Sequence, residues 1–432
     1  MNPEFQRNLW LECTQPRLVS AFAALGALLA LAWLLNGRGL GVVTANAGLG
    51  CFVLFTLAWG AHLTGESLIQ ELRSRSWDQQ RMSALGPWPM TWGKLLGAPA
   101  AAWICGGLCV LVYLLSIEVT ADAGWTLLML AAGAIGLHAF ALIGALLLAQ
   151  RGHQAGAPMS LRLAGGLAAL LLANAILNRP DTHVRWFGQD YPALAFSACV
   201  VAALAAWVVF GSYRLMCEEL KVRTLPWALA GFIGFLAALA TGSVVSLTDS
   251  PALISGTLAK AGFVCALLAA YLCAFVFAPD PMLPRRLLGY AQRAQWRRVA
   301  EESPLWGVGL LYAIGLALVL ALNGHPNIAL PGSLSRFNGD AGPLLLFATR
   351  DLLVFFGIAC RAPRRGVEGS QLIYLALAYW LLPAIAHLAG AHSLAGLLRP
   401  QTGESLTACA VLLPQVIVAG LWTRRAWAGR MA

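Results

Sequence analysis

The sequence predicts an all-α membrane protein, a polytopic transmembrane helical bundle of about 12 spans. Apolar residues make up 59% of the 432 positions, charged residues make up 11%, and the mean hydropathy is +0.71. Soluble domains carry roughly 25% charged residues, so a soluble core could not bury this much apolar surface. In hydrocarbon the backbone must be hydrogen-bonded within helices or a closed barrel. Continuous apolar runs such as 127–149 favour helices, because barrel strands alternate over about ten residues.

The apolar runs set the expected spans. Each run approaches or exceeds the roughly 20 residues that cross a bilayer as a helix. We expect spans at about 18–36, 42–64, 95–116, 125–149, 161–178, 193–213, 226–247, 257–278, 305–323, 342–360, 371–391 and 405–423.

The basic residues predict the orientation. If the N terminus is inside, twenty-two of the 29 Lys and Arg residues fall in cytoplasmic stretches. The remaining seven fall outside or within spans: Arg38, Arg179, Arg185, Lys260, Arg336, Arg350 and Arg399. Basic residues concentrate in cytoplasmic loops of membrane proteins, so both termini are expected to be cytoplasmic. The formal charge of +10 therefore indicates membrane topology, and no nucleic-acid partner is expected.

Two long cytoplasmic loops indicate two halves, 1–213 and 214–432. The loop at 65–94 joins spans two and three, and a basic loop at 279–304 holds the same place in the second half. A polar, helix-compatible stretch precedes the first span of each half. The N-terminal stretch 2–17 mixes Phe5, Leu9 and Trp10 with polar residues, so we expect an interfacial helix there.

The loop at 65–94 carries the most informative pattern. Residues 66–94 read ESLIQELRSRSWDQQRMSALGPWPMTWGK, which permits one short helix before Pro87 and Pro89 break it. The pattern presents, in order, Glu71, Arg75, Trp77, Asp78, Arg81, Leu85, Pro87, Gly93 and Lys94. Gly86 and the Gly93-Lys94 pair do not make a phosphate-binding loop, because their spacing is wrong and Leu95 stands where Ser or Thr would hold magnesium.

This segment and the leader resemble the start of ABC-2 type ABC-transporter permeases, over roughly the first 100 residues. The resemblance implies a permease subunit in which 71–85 is a coupling helix that docks a separate ATPase. The docking residues would be Glu71, Arg75, Trp77, Asp78, Arg81 and Leu85. This chain would bind no cofactor and would not itself be an enzyme, since ATP would act through the partner. The implied location is a bacterial inner membrane. The chain would be a homodimer or, if the halves are duplicated, a pseudo-dimeric monomer.

The second loop has two open interpretations. Arg286, Arg293 and Arg297 are expected near one face of a helix. They could form a second docking element, or they could contact anionic lipid in the bilayer.

Within the tenth span, Arg350 and Asp351 are candidate functional residues. Intramembrane charges are costly and usually face a bundle interior or a watery cavity. Neighbouring residues on a helix point about 100° apart, so separate partners are expected. A pair that only joins two helices is the structural alternative.

Two other functions stay open from sequence alone. A secondary transporter could use the Arg350/Asp351 pair at mid-bilayer. A membrane-embedded transferase would need polar groups at an exterior face, for which the sequence offers Asp181, His183, Asp190, His325, Asp340 and His392. The isolated His62, His138 and His387 are expected to pack between helices. The ten cysteines show no metal-ligand spacing, so no metal site is expected.

Overall fold

Helices dominate the computed structural model, and the predicted all-α fold is confirmed. The structure describes residues 2–117, 121–151, 159–177, 182–277, 282–324, 327–328, 339–361, 367–390 and 405–431. Contacts divide the chain into two compact units, Met1–Val184 with Asp190–Thr224, and Arg185–Gln189 with Leu225–Ala432. That the two units are duplicated halves stays a prediction.

The first unit contains nine described helices. They are α1 (Pro3–Glu12), α2 (Gln15–Leu35), α3 (Val42–Arg73), α4 (Ser76–Arg81), α5 (Pro87–Gly97), α6 (Ala100–Ser116), α7 (Ala121–Arg151), α8 (Met159–Leu177) and α9 (Ala193–Glu219). Pro at the first turn of α1, α2 and α5 suits a helix start, since that position needs no backbone donor.

The second unit contains eight described helices. They are α10 (Trp227–Gly242), α11 (Pro251–Val276), α12 (Leu283–Gln292), α13 (Trp296–Glu302), α14 (Leu305–Leu322), α15 (Ala341–Arg361), α16 (Val367–Leu388) and α17 (Ser405–Met431). Ser250 caps α11, because its hydroxyl accepts a hydrogen bond from the Leu253 amide.

Two short strand pairs interrupt the helices. Strand β1 (His183–Trp186) pairs with β2 (Gln189–Pro192). Strand β3 (Asn327–Ile328) pairs antiparallel with β4 (Gly339–Asp340).

Eight of the described helices are long and apolar enough to cross a membrane. They are α2, α3, α7, α9, α11, α14, α15 and α16. The pair α5 and α6, bent by 54°, makes a ninth if it is one broken span. The predicted count of twelve is not confirmed. Helices α8, α10 and α17 cover the expected fifth, seventh and twelfth spans without being among these eight, and α10 is a shorter apolar helix.

Small residues set the helix packing inside each unit. In the first unit, a Cβ on Gly48 of α3 would lie 3.1 Å from the Cys109 carbonyl oxygen of α6. In the second unit, a Cβ on Gly309 of α14 would lie 3.1 Å from the Ala270 nitrogen of α11. Helices in lipid associate through close backbone approach rather than through a hydrophobic drive, so these glycines allow the dry contacts of both cores.

Two spans contain a π-helical segment. Helix α3 is π-helical over Phe52–Trp59, and α16 is π-helical over Leu377–Leu381. A π-segment changes the helical register and moves carbonyl groups out of the regular ladder. The carbonyl groups of both segments could therefore accept hydrogen bonds from polar side chains of neighbouring helices.

Candidate functional site

A buried polar cluster joins three helices of the first unit. Its members are Glu4, Arg7 and Asn8 from α1, Glu71 from the last turn of α3, and Lys94 from α5. Loop residues 74–86 lie between α3 and α5, so the cluster sits at the base of the loop that the sequence singled out. We call these five residues the polar joint.

Lys94 is the centre of the polar joint. Its ammonium is fully buried, 2.6 Å from Glu71 Oε2 and 3.1 Å from Glu4 Oε1. The Trp77 ring centroid lies 5.2 Å from the same nitrogen, which adds a cation–π contact. A buried ammonium is tolerated only when charges compensate it, and here two carboxylates from different helices do so.

Arg7 and Asn8 complete the ion pairs. The Arg7 guanidinium contacts Glu71 and donates to both carboxylate oxygens of Glu4. The Asn8 amide donates to the Glu4 side chain at 3.0 Å and to the Gly93 carbonyl oxygen at 3.5 Å. Every carboxylate of the joint therefore has a cationic partner.

The electrostatics of Glu4 follow from this geometry. Burial alone would raise the pKa of the Glu4 carboxyl, but Lys94 and Arg7 outweigh burial and lower that pKa to about 2. Burial likewise opposes the charge on Arg7, yet the two carboxylates raise the pKa of its guanidinium. Glu4 thus stays ionised at any physiological pH.

Close backbone approach lets α1 reach the joint. A Cβ on Gly93 would lie 2.6 Å from the Glu4 Cβ, and a Cβ on Gly97 would lie 3.0 Å from the Phe5 carbonyl oxygen. The leader helix therefore packs its polar face on α5, with Glu4, Asn8 and Glu12 buried. Trp10 and Leu11 are exposed instead. Only the expected location of α1 at the membrane surface stays a prediction.

The loop folds back because α3 ends in a left-handed residue. Arg75 has φ 58°, a conformation that terminates a helix and turns the chain. Helix α4 then carries Trp77 into the interior beside Lys94. On its outer side Arg75, Asp78, Gln79 and Met82 are exposed.

The six expected docking residues divide into three groups. Glu71 and Trp77 are buried and contact Lys94 inside the unit, and a docking role for them stays a prediction. Arg75 and Asp78 are exposed. Arg81 and Leu85 are half-buried, and Arg81 Nη1 lies 3.6 Å from Asp78 and 3.9 Å from Glu219 of α9.

Arg350 and Asp351 form a second buried cluster, within the second unit. Arg350 Nε donates to Asp351 Oδ1 at 2.9 Å, so the two neighbours bind each other in addition to separate partners. The long arginine side chain bends back to its neighbour despite the different directions of the two Cβ bonds. Arg350 also donates to Gln415 at 2.7 Å and to the Tyr379 hydroxyl at 2.9 Å.

Three tyrosines complete this second cluster. Tyr271 and Tyr374 donate to Asp351 at 2.8 and 2.7 Å, and Tyr379 also donates to it. Tyr379 belongs to the π-segment of α16, and Gln415 follows Pro414 inside α17. Arg350 and Gln415 also line an apolar cavity of about 510 Å³. Sequence reasoning missed the tyrosines and Gln415, because uncharged polar residues in spans give no spacing signal.

The second loop is not one helix. Helix α12 ends at Gln292, Ala294 is left-handed with φ 53°, and α13 begins at Trp296. The turn at Ala294 separates Arg297 from Arg286 and Arg293, so the three arginines do not lie on one face of a single helix. Arg286 Nε lies 3.8 Å from Glu302, and Arg297 donates to Glu301 at 3.0 Å.

The isolated histidines differ from one another. His138 is fully buried and bonds through Nε2, 2.8 Å from the Thr56 carbonyl oxygen in the π-segment of α3, which fits the predicted packing role. His62 and His387 are exposed, and a packing role for them stays a prediction. His62 lines a cavity of about 370 Å³ between α3, α7 and α8.

The candidate residues for transferase chemistry do not form a cluster within the part of the chain that the structure describes. His183 and Asp190 are exposed and Asp340 is half-buried, while Asp181, His325 and His392 lie outside the described residues. Within the described ranges, no group of three or more His, Cys, Asp or Glu residues could hold a metal ion.

The fold and these clusters define a helical membrane protein with two buried charge networks. No protein-family model, no curated protein and no solved structure matches the chain. The function is therefore inferred from the clusters themselves.

Proposed function

We propose that this chain is the membrane subunit of an ATP-driven transporter of the ABC-2 permease type. A separate ATPase subunit docks on the outer side of the loop helix α4, and the membrane helices form the substrate pathway. The chain lies in the inner membrane of a bacterial cell, and both termini and this loop face the cytoplasm. Either two copies of the chain or the two units of one chain serve a pair of ATPases.

The polar joint is the observation that supports this proposal. A docking loop must transmit force, and α4 is tied to α3, α5 and α1 through Trp77, Glu71 and Lys94. Buried ion pairs resist separation, because breaking one leaves an uncompensated charge. A push on α4 is therefore carried to the ends of two membrane helices and to the leader as a rigid-body shift.

The outer side of α4 is suited to a protein contact. Asp78 and Gln79 of α4 are exposed, as are Arg75 and Met82 at its two ends, and both charge signs are present. Glu71 and Trp77 fix the helix from inside, so the contact surface and the force-bearing residues are different sets. ATP hydrolysis takes place on the partner, in agreement with the absence of a phosphate-binding motif in the sequence.

Site-specific photo-crosslinking tests the docking surface. A photoreactive phenylalanine at position 78 should give an adduct with a protein that carries a GxxxxGK[ST] motif and an ABC signature. The matched control is position 38, an exposed site in the loop at the other end of α3. The proposal is refuted if position 78 gives no adduct with such an ATPase. It is also refuted if positions 78 and 38 give equal amounts of the adduct.

Substitution separates docking from loop anchoring. Asp78→Ala with Arg75→Ala should lose ATPase association while membrane insertion stays intact, since both side chains are exposed. Asp78→Ala with Arg81→Ala should have the same effect and also loosen the loop, because Arg81 is near Glu219. Normal association of both double variants contradicts a docking role for α4.

A secondary transporter is the second candidate, favoured by the cluster around Asp351. Buried charges beside a π-segment and a helix-interior proline are typical of transport sites in broken helices. Asp351→Asn and Arg350→Gln should then abolish ion-coupled uptake in vesicles without ATP, while the protein still folds. Unchanged transport in both variants returns the cluster to a structural role.

A further inference from the structure

The helical hairpin α12–α13 lies at the end of a membrane helix. Only Ser303 and Pro304 separate α13 from α14, which is long and apolar enough to span. The Tyr290 hydroxyl of α12 donates to Glu302 Oε1 at 3.0 Å, and Arg298 lies over the Tyr290 ring at 5.8 Å. These contacts fold the two helices together and hold them close to the start of the span.

The hairpin turns a mixed basic and apolar surface outward. Within 283–302 there are five arginines and two glutamates. Arg285, Leu288 and Gln292 follow one another at helical spacing and are all exposed, whereas Leu287, Tyr290 and Ala291 are half-buried on the inner side. Leu288 is 58% exposed and Trp296 is 66% exposed. Large apolar side chains flanked by arginines are characteristic of a helix that lies in the lipid headgroup layer.

We propose that the α12–α13 hairpin binds the headgroups of anionic phospholipids, with Leu288 inserted among the acyl chains and Trp296 at the headgroup level. Arg285 and Arg293 are exposed and lie outside the ion pairs that Arg286 and Arg297 make with Glu302 and Glu301. A basic segment next to a span is attracted to an anionic leaflet within a Debye length. Trp prefers the headgroup level of a membrane, so the exposed Trp296 suits this placement.

Hydrogen exchange of the purified full chain tests this binding. The chain is compared in nanodiscs of phosphatidylcholine alone and of phosphatidylcholine with phosphatidylglycerol. Amides of 283–302 should exchange roughly tenfold more slowly in the anionic nanodiscs, and added salt should reduce the difference. Equal exchange in the two lipids overturns the proposal, and a contact with a protein partner would then be the better interpretation.

A charge-matched pair of variants distinguishes local binding from net charge. Arg285→Gln with Arg293→Gln should abolish the lipid dependence of exchange in 283–302 while the ion pairs with Glu301 and Glu302 remain. Arg73→Gln with Arg75→Gln removes the same charge from the first loop and should leave that dependence unchanged. Loss of the dependence in both variants contradicts a site on the hairpin. The result is independent of whether α4 docks an ATPase.

Discussion

Lys94 shows how one residue can connect three helices. Placing an ammonium in a protein interior costs several kcal/mol, and attraction repays that cost only in good geometry. Glu4 and Glu71 supply this geometry from α1 and α3, at 3.1 and 2.6 Å. The ion pairs therefore select one arrangement of the three helices more than they add net stability.

Replacing Lys94 by Met should destabilise the first unit strongly. Glu4 and Glu71 would remain buried with Arg7 as their remaining shared cation, at a cost of up to about 3–5 kcal/mol. Arg73→Met is the matched control, because Arg73 is largely exposed and pairs with the half-buried Glu66 at 3.1 Å. Surface pairs contribute less than about 1 kcal/mol. Thermal unfolding in detergent measures both, and equal Tm values would contradict the central role of Lys94.

Glu4 makes stability depend on pH in a defined window. Its pKa falls from 4.5 to about 2 on folding, so the ionised form stabilises the fold. That contribution, up to about 3 kcal/mol, is complete above pH 4.5 and is lost as pH falls towards 2. Glu4→Gln should remove this part of the pH dependence while α1 can still pack. Identical pH profiles of Tm for the variant and the native chain between pH 4.5 and 2 would contradict it.

At the scale of an element, α1 depends on two glycines of its neighbour. Gly93 and Gly97 are four residues apart on α5 and lie against Glu4, Phe5 and Asn8. Small residues at this spacing let two helices approach closely enough for backbone contact. The leader is thereby fixed by its polar face, which leaves Trp10 and Leu11 exposed.

Gly97→Ala should displace α1. The added methyl would lie 2.9 Å from the Asn8 Cβ and 3.0 Å from the Phe5 carbonyl oxygen, and backbone cannot yield cheaply. We expect a loss of about 1–3 kcal/mol and faster amide exchange in 3–12. Gly107→Ala on α6 is the control, since nothing lies within 4 Å of its Cβ position. Unchanged exchange in the Gly97 variant would show that α1 does not need this close approach.

At the scale of the molecule, α3 fixes the relation between two loops. Its 32 residues extend roughly 48 Å, longer than the roughly 30 Å hydrocarbon layer. If α3 crosses the bilayer, the loop containing Arg38 and the loop containing α4 must lie on opposite sides. The last turns of α3, with Glu71, then project beyond the hydrocarbon, where charged side chains cost less free energy.

Cysteine labelling in cells tests this arrangement. In a Cys199→Ala background, which removes an exposed native thiol, Arg38→Cys should react with an impermeant maleimide added outside. Gln79→Cys should react only after the membrane is opened. The two positions are both exposed, so accessibility within the protein does not separate them. Labelling of residue 79 from outside would reverse the orientation and exclude a cytoplasmic ATPase at α4.

The sequence predicted the helices better than it predicted the members of the buried polar clusters. The apolar runs predicted the helices, and the charged loop at 66–94 was singled out because polarity there contrasts with its surroundings. Glu4 and Asn8 were missed, although their spacing of four on the leader is a visible signal of a polar face. Tyr271, Tyr374 and Gln415 had no such signal, because a polar residue in a span points to no particular helix.

The sequence by itself determined that this chain is helical and suited to a membrane, since hydropathy and backbone hydrogen bonding leave little choice in hydrocarbon. Only the tertiary structure decided which charges meet. Lys94 is separated from Glu4 and Glu71 by long stretches of chain, and Asp351 collects tyrosines from α11 and α16. Pairing of this kind depends on helix packing and on the turn at Arg75, and those arise from close contacts that no local pattern encodes.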